Sequence, residues 1–415
     1  MQTDNNNKLE NKPFNWHILF IISLISIIMG VYRDGFAAFF PFIQSEFNLT
    51  RGEIGIYVTF LYFSSSIVSV FIGRLVDLIG AKMSMASGTL LVGILLLLHS
   101  ISPNFISLLI LATVAGLGVS INAPAANKGI NESFSQKWRS TATGIWSTAF
   151  PVGGLLAASF LPYLGVLFGW RKAVIFPGIL AILCTFLIII FYKNETNSRK
   201  RITKTDTELF LKGLFQLFSN IDLLTISIYG FFWGAVSGAI TTHFTLFLFL
   251  DYKLSASLAG FGFALVQVGS IVSRPGWGII SDRILNNNKR KAFLIMGFLF
   301  FVLTIILGTF LKNMNPPISV IFLLSFLVGC TGRGWNGIFF SAVPEMVKKE
   351  EVGGAIGLSL LFPRIGLFLS PPIFGYIADV KGAYESSWFF LGLLMFLASV
   401  GQYYFYMKNK KVKND

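Results

Sequence analysis

The chain has 415 residues, a mean hydropathy of +0.70, 54% hydrophobic residues and only 13% charged ones. A soluble domain carries roughly 25% charged residues; here apolar runs long enough to cross ~30 Å of hydrocarbon fill the deficit, which excludes an ordinary soluble enzyme or binding module. The net charge of +14 follows the loops rather than a nucleic-acid patch, and Cys184 and Cys330 both lie inside apolar runs, so neither a disulfide framework nor a cysteine metal site is implied.

Residues 1–13 are polar and Asn-rich and read as a disordered tail. Apolar runs then predict an all-α membrane protein with twelve transmembrane helices, at 14–42, 54–73, 83–101, 104–126, 140–163, 170–192, 222–250, 256–280, 291–311, 317–343, 352–380 and 386–407. The first run is longer than a signal h-region and no small-residue cleavage site follows it, so it reads as a retained span. Residues 193–221, with Lys193, Arg199, Lys200, Arg201, Lys204 and Lys212, form the one long linker. The expected organisation is a tail (1–13), an N-terminal six-helix bundle (14–192), the linker (193–221), a C-terminal six-helix bundle (222–407) and a basic tail (408–415).

Lys and Arg concentrate in the tails, the linker and the loops on the same side. The opposite loops carry only Arg51, Arg171, Lys172, Lys253, Lys312 and Lys381. The positive-inside rule then places both termini and the linker in the cytoplasm. The basic excess also draws these segments toward anionic lipid.

Two junctions repeat. Gly73-Arg-Leu-Val-Asp77-Leu-Ile-Gly80-Ala-Lys82 separates the second and third spans, and Gly276-Trp-Gly278-Ile-Ile-Ser-Asp282-Arg283 separates the eighth and ninth. In each, an Asp stands four residues after a Gly, ahead of basic residues. The stretches Ala142-Thr-Gly144 … Phe150-Pro151-Val-Gly153 and Ala355-Ile-Gly357 … Phe362-Pro363-Arg-Ile-Gly366 also match each other. Repeated junctions imply a repeated unit, hence two pseudo-symmetric halves.

Twelve spans in two halves, a basic central linker and this repeated acid-bearing loop resemble the major facilitator superfamily, over nearly the whole chain. Gly73, Asp77, Gly80 and Lys82 match its loop signature. The resemblance implies a secondary transporter whose loop acid locks one conformational state. That role passes to Asp77, with Arg139 as its expected cationic partner, and to Asp282 and Arg283 in the second copy. Tyr32-Arg-Asp34-Gly35-Phe, Thr143-Gly144 and Ser273-Arg274-Pro275 resemble monocarboxylate and oxalate/formate-type carriers. Arg33 after Tyr32 also resembles organic-anion and organophosphate carriers.

The residues themselves point to an anion. Arg33, Arg274, Arg333 and Arg364 fall inside spans, with Asp34 as the clear acid among them. A charge at mid-bilayer costs roughly 2.5–3.5 kcal/mol on the insertion scale, so each should face the bundle interior or a wet cavity. At ~1.5 Å per residue, Arg364 stands ~18 Å from the inner end of its span and Arg333 ~24 Å from the outer end of its own. Guanidinium forks suit carboxylate or phosphate. Two have a plainer alternative: Arg33 pairing with Asp34 or a neighbouring span, and Arg274 serving the loop network. Arg364 follows Pro363, where a broken helix exposes carbonyls, and Arg333 is flanked by Gly332 and Gly334. Trp146, Gln267 and Asn336 are expected to complete the binding site, or to bond helix to helix.

Asp34 is the first candidate for proton coupling and Glu345 the second. His243 reads as packing before proton relay. No nucleotide-binding loop, zinc motif or nucleophile elbow is present, so catalysis, a cofactor and a metal are not expected. The expected function is transport of a small organic anion by alternating access, in symport with a proton or in exchange for another anion, by a monomer in the plasma membrane. The alternatives are an efflux carrier for drugs or other amphipathic solutes and a non-transporting membrane sensor.

Overall fold

The structure is a computed structural model that describes residues 14–192, 220–348 and 351–414. The expected tail 1–13 and nearly all of the linker 193–221 lie outside the described residues. Every regular element among the described residues is helical: α1 (Trp16–Arg33), a 3-10 turn (Phe36–Phe39), α2 (Phe40–Phe47), α3 (Arg51–His99), α4 (Phe105–Ser133), α5 (Gln136–Ser147), α6 (Ala149–Phe168), α7 (Trp170–Ala173) and α8 (Ile175–Phe191). The second half holds α9 (Ile221–Leu250), α10 (Ala256–Ile279) running into a π-turn (Ile280–Ile284), α11 (Lys289–Ile305), α12 (Ile318–Gly332), α13 (Asn336–Ala342), α14 (Val352–Lys381) and α15 (Glu385–Asn414). Among the described residues, 11 helical stretches are long and apolar enough to cross a membrane. The expected second span, 54–73, lies in the first part of α3 and is helical too.

Several spans differ in detail from expectation. The first continues to Phe47, because the chain leaves α1 at Asp34-Gly35 and re-enters a helix through the 3-10 turn. The fifth is jointed at Thr148, between α5 and α6. The tenth is broken outright at 333–335, between α12 and α13. The signature junctions also differ from each other. Gly80 has φ 84° and ψ 163°, a backbone state open to glycine, and divides α3 into two helices. The second junction widens into the π-turn instead and is followed by Asn286 and Asn287 at positive φ, which Asn tolerates.

Contacts divide the chain into two compact units, Met1–Phe42 with Phe60–Arg201, and Ile43–Thr59 with Ile202–Asp415. This division departs from the expected boundary, since residues 43–59 pack in the second unit. Backbone chemistry explains why. The Asp379 carboxylate accepts from the backbone N–H of Arg51 (2.9 Å) and of Gly52 (2.8 Å), capping the start of α3. Pro372 has no N–H to offer the Phe368 carbonyl, and the Thr59 hydroxyl donates there instead, at 2.6 Å. Gly55 lies against Pro371 and Gly375 against Arg51, too close for any Cβ.

Within each unit a long pair of helices crosses at glycine. In the first, Gly30 of α1 and Gly153 of α6 face each other's backbones: a Cβ on Gly153 would overlap the Ile27 carbonyl. In the second, Gly234 of α9 meets the Pro363 carbonyl of α14, and Gly366 meets that of Phe231. Helices in lipid lack a hydrophobic drive to associate, so this small-residue approach supplies their packing. Gly234→Ala should therefore force α9 and α14 apart, at a cost of ~1–3 kcal/mol. Gly276→Ala, where a Cβ would meet nothing within 4 Å, should leave stability near that of wild type. Thermal unfolding of the purified protein in detergent checks the pair. Equal melting for both variants would contradict the packing account.

Candidate functional site

In the first unit, Arg33 ends α1 and Asp34 follows as its cap. The guanidinium holds the carboxylate with both prongs, Nε to Oδ1 and Nη2 to Oδ2, each 3.0 Å. The Tyr62 hydroxyl donates to Asp34 Oδ1 at 3.3 Å, and the Phe150 ring lies 4.1 Å beneath the guanidinium carbon. The Asp34 side chain is 1% exposed and that of Arg33 27%. The pairing alternative for Arg33 thus holds in this structure. An incoming carboxylate would compete with Asp34 for the same fork, unless Asp34 carries a proton.

Seven residues earlier on α1, Ser26 links three helices. The Trp146 indole N–H of α5 donates to Ser26 Oγ at 2.7 Å, and the Ser26 hydroxyl donates to Asn122 Oδ1 of α4 at 3.1 Å. The Trp146 N–H thus bonds helix to helix, the alternative to a place in the binding site. Ser26 gave no signal in the sequence, where it is one hydroxyl among many in apolar runs.

The loop acid has a different partner from the expected one. Lys128 of α4 meets Asp77 Oδ1 at 3.2 Å and also donates to the Val76 carbonyl at 3.1 Å. Arg139 instead donates to the carbonyls of Phe134 (3.0 Å) and Asn131 (2.9 Å), closing the α4–α5 turn. Gly73 sits within α3 with open space where a Cβ would stand, and Lys82 is half-buried beyond the Gly80 break.

In the second unit, Arg333 occupies the break between α12 and α13. It is 7% exposed, with Gly332 and Gly334 on either side. Its Nη1 donates to Thr241 Oγ1 of α9 at 2.9 Å, and its carbonyl accepts from Ser270 at 3.4 Å. Next to it the Trp335 indole donates to Ser237 of α9 at 3.1 Å, while Asn336 opens α13 and is half-buried. A broken helix is tolerated at membrane depth where it is buried in protein or lines a cavity, and such breaks carry the binding sites of many transporters. Gln267 of α10 is fully buried, and neither of its amide atoms has a hydrogen-bond partner among the described residues. Arg364 is half-buried on α14, directly after the Pro363 crossing.

A polar cavity of about 560 Å³ gathers other expected residues, lined by Arg274, Ser281, Asp282, Lys289, Ser341 and Glu345. Glu345 is ion-paired to Lys289, the first residue of α11, and its side chain is 54% exposed. The structure thus puts Arg274 and Glu345 on one cavity, and the α10 backbone at Arg274 lies against Gly337 of α13, just past the Arg333 break. Arg283 projects into the open. His243 is fully buried, and its Nε2–H donates to the Pro371 carbonyl at 2.8 Å. Its Nδ1 then accepts from the Tyr384 hydroxyl at 3.1 Å. Burial pushes the Tyr384 phenol well above its ordinary value, so it remains a donor. This is a packed, satisfied histidine.

The fold and these buried charges define a multi-span helical membrane protein with polar groups held inside its spans. The sequence profile of the Major Facilitator Superfamily matches residues 22–344 and 249–415. The chain belongs to the Major Facilitator Superfamily. It is 19% identical to a hexuronate transporter of Bacillus subtilis, over 92% of each chain. It is 25% identical to a probable nitrate transporter, NarT, of Staphylococcus epidermidis, over 90% of this chain and 92% of that one. It is 22% identical to a probable sulfoacetate transporter, SauU, of Cupriavidus necator, over 91% and 90%. Among solved structures, a bacterial homologue of the human lysosomal transporter Spinster superposes with a TM-score of 0.78 at 17% identity, covering 95% of this chain and 97% of that one. The nucleoside transporter NupG superposes with a TM-score of 0.75 at 14% identity, covering 94% and 99%.

Proposed function

We propose that this protein is a secondary transporter of a small organic anion, a carboxylate in the first instance, working by alternating access. The observation that carries this reading is Arg333: a guanidinium 7% exposed in a broken span. Its planar fork suits two anion oxygens. The named cargoes of the three relatives, hexuronate, nitrate and sulfoacetate, are all anions, which supports an anion over an amphipathic cation. Arg33, Arg274 and Arg364 are the other candidate contacts, with Gln267, Asn336 and Trp146 as neutral neighbours. Proton symport would run through Asp34, whose protonation releases the Arg33 fork. Anion exchange would leave the pair intact and use Arg333. Glu345 is the second coupling candidate, and it would have to leave Lys289 to act.

The moving parts would be the six-helix halves 14–192 and 222–407, less residues 43–59, which pack in the second unit. Asp77 would hold one state through Lys128, with Gly73, Gly80 and Lys82 shaping the loop and Arg139 stiffening its neighbour. Asp282 and Arg283 would serve the second junction. The protein would sit as a monomer in the plasma membrane with both termini in the cytoplasm. Thermal unfolding of purified protein with nitrate, glucuronate, galacturonate and acetate, against tetraphenylphosphonium as a cationic control, tests the cargo class. Stabilisation by at least one anion and not by the cation is expected, weaker in Arg364→Ala. Stabilisation by the cation alone would overturn the reading.

A further inference from the structure

Three side chains on three helices of the first unit form a directed relay, and its end is unfilled. The Trp146 indole can only donate, which fixes the sense of its 2.7 Å bond to Ser26 Oγ. The Ser26 proton is then available for Asn122 Oδ1, at 3.1 Å. In this arrangement the carbonyl side of the Asn122 amide faces Ser26 and its NH₂ faces away. That nitrogen has no hydrogen-bond partner among the described residues, although Ser26 is 0% exposed, Asn122 1% and Trp146 8%. Asn122 stands about 26 Å from the start of α4 and about 16 Å from its end, well inside the span. A buried donor is destabilising unless something accepts its hydrogens, and few native groups are left so. Helix packing does not explain it, because the Oδ1 bond to Ser26 already ties α4 to α1.

We propose that the Asn122 side-chain NH₂ is a specificity-determining donor to the transported anion, completed by an anion oxygen when the substrate is bound. This rests on the anion-carrier reading above. Ser26 and Trp146 are positioning residues, which keep the amide presenting a donor rather than an acceptor. The group would favour oxyanions, whether carboxylate, nitrate or sulfonate, and would discriminate against substrates that offer only donors.

Full-length wild type, Asn122→Asp and Asn122→Ala are purified, and the dissociation constants of nitrate and glucuronate are obtained from the concentration dependence of thermal unfolding. Asn122→Asp keeps the shape and the acceptor toward Ser26 but replaces the donor with an oxygen. A hydrogen bond to a charged group is worth roughly tenfold or more in affinity, so the anion that stabilises wild type should bind both variants at least about tenfold more weakly. Anion binding unchanged in Asn122→Asp would overturn the inference and leave the carrier reading standing. If that variant does not fold, unchanged binding in Asn122→Ala does the same. A wild type stabilised by neither anion would remove the carrier reading itself, and this inference with it.

Discussion

Arg333→Ala is expected to lower anion uptake into proteoliposomes at least about a hundredfold. The guanidinium sits in the gap between α12 and α13, held to α9 through Thr241 at 2.9 Å. Removing one partner of a desolvated charge pair costs roughly 3–5 kcal/mol, because the other is left uncompensated. In the variant the uncompensated partner is the anion. Arg333→Lys should recover little, since an ammonium is a point charge without the planar fork. Thr241→Val should show a smaller loss, as it removes one neutral hydrogen bond and leaves the guanidinium in place. Measuring uptake alongside melting temperature separates function from folding. Near-normal uptake by Arg333→Ala would show that the broken span serves packing alone.

Asp34→Asn is expected to separate the two coupling modes. Asn is nearly the same shape and can still accept from the Tyr62 hydroxyl, 3.3 Å away. It cannot take up and release a proton, and it deprives Arg33 of its counter-charge. The lost hydrogen bonds to a charged group are worth roughly 1.5–3 kcal/mol each. The 27% exposure of Arg33 lets water replace part of that. Uptake driven by an imposed inward proton gradient should vanish, while exchange of labelled for unlabelled anion on the two sides persists. Gradient-driven uptake equal to wild type would remove Asp34 as the coupling group. Loss of exchange as well would mean that the pair with Arg33 is structural.

The spans were legible because length and apolarity act locally. Each run from Trp16 to the end of α15 shows as a helix close to its expected place. The positive φ of Gly80 is also a property of one residue, but the sequence marked that glycine only as part of the loop signature. What depends on helix rotation was hidden. Nothing in the sequence says that position 128, rather than 139, turns toward Asp77. That choice is fixed by how α4 rolls against α3, which sets Lys128 Nζ 3.2 Å from the carboxylate.

The break at Arg333 had a local signal, glycine on both sides, but high mean hydropathy across 317–343 outweighed it. Residues 43–59 were assigned by chain order to the first half, and they pack in the second unit because Asp379 and the carbonyl freed by Pro372 lie hundreds of residues downstream. Ser26 was the least visible, because a hydroxyl in an apolar run is most often a helix-packing bond. Only coordinates reveal that one end of the relay is unfilled.

The most direct measurement is uptake of radiolabelled nitrate and glucuronate by proteoliposomes containing the purified protein, beside protein-free liposomes and the Arg333→Ala variant. Saturable entry of at least one anion, absent from both controls, is the result the account predicts. Anion entry no faster than into protein-free liposomes, together with saturable movement of tetraphenylphosphonium, would contradict it.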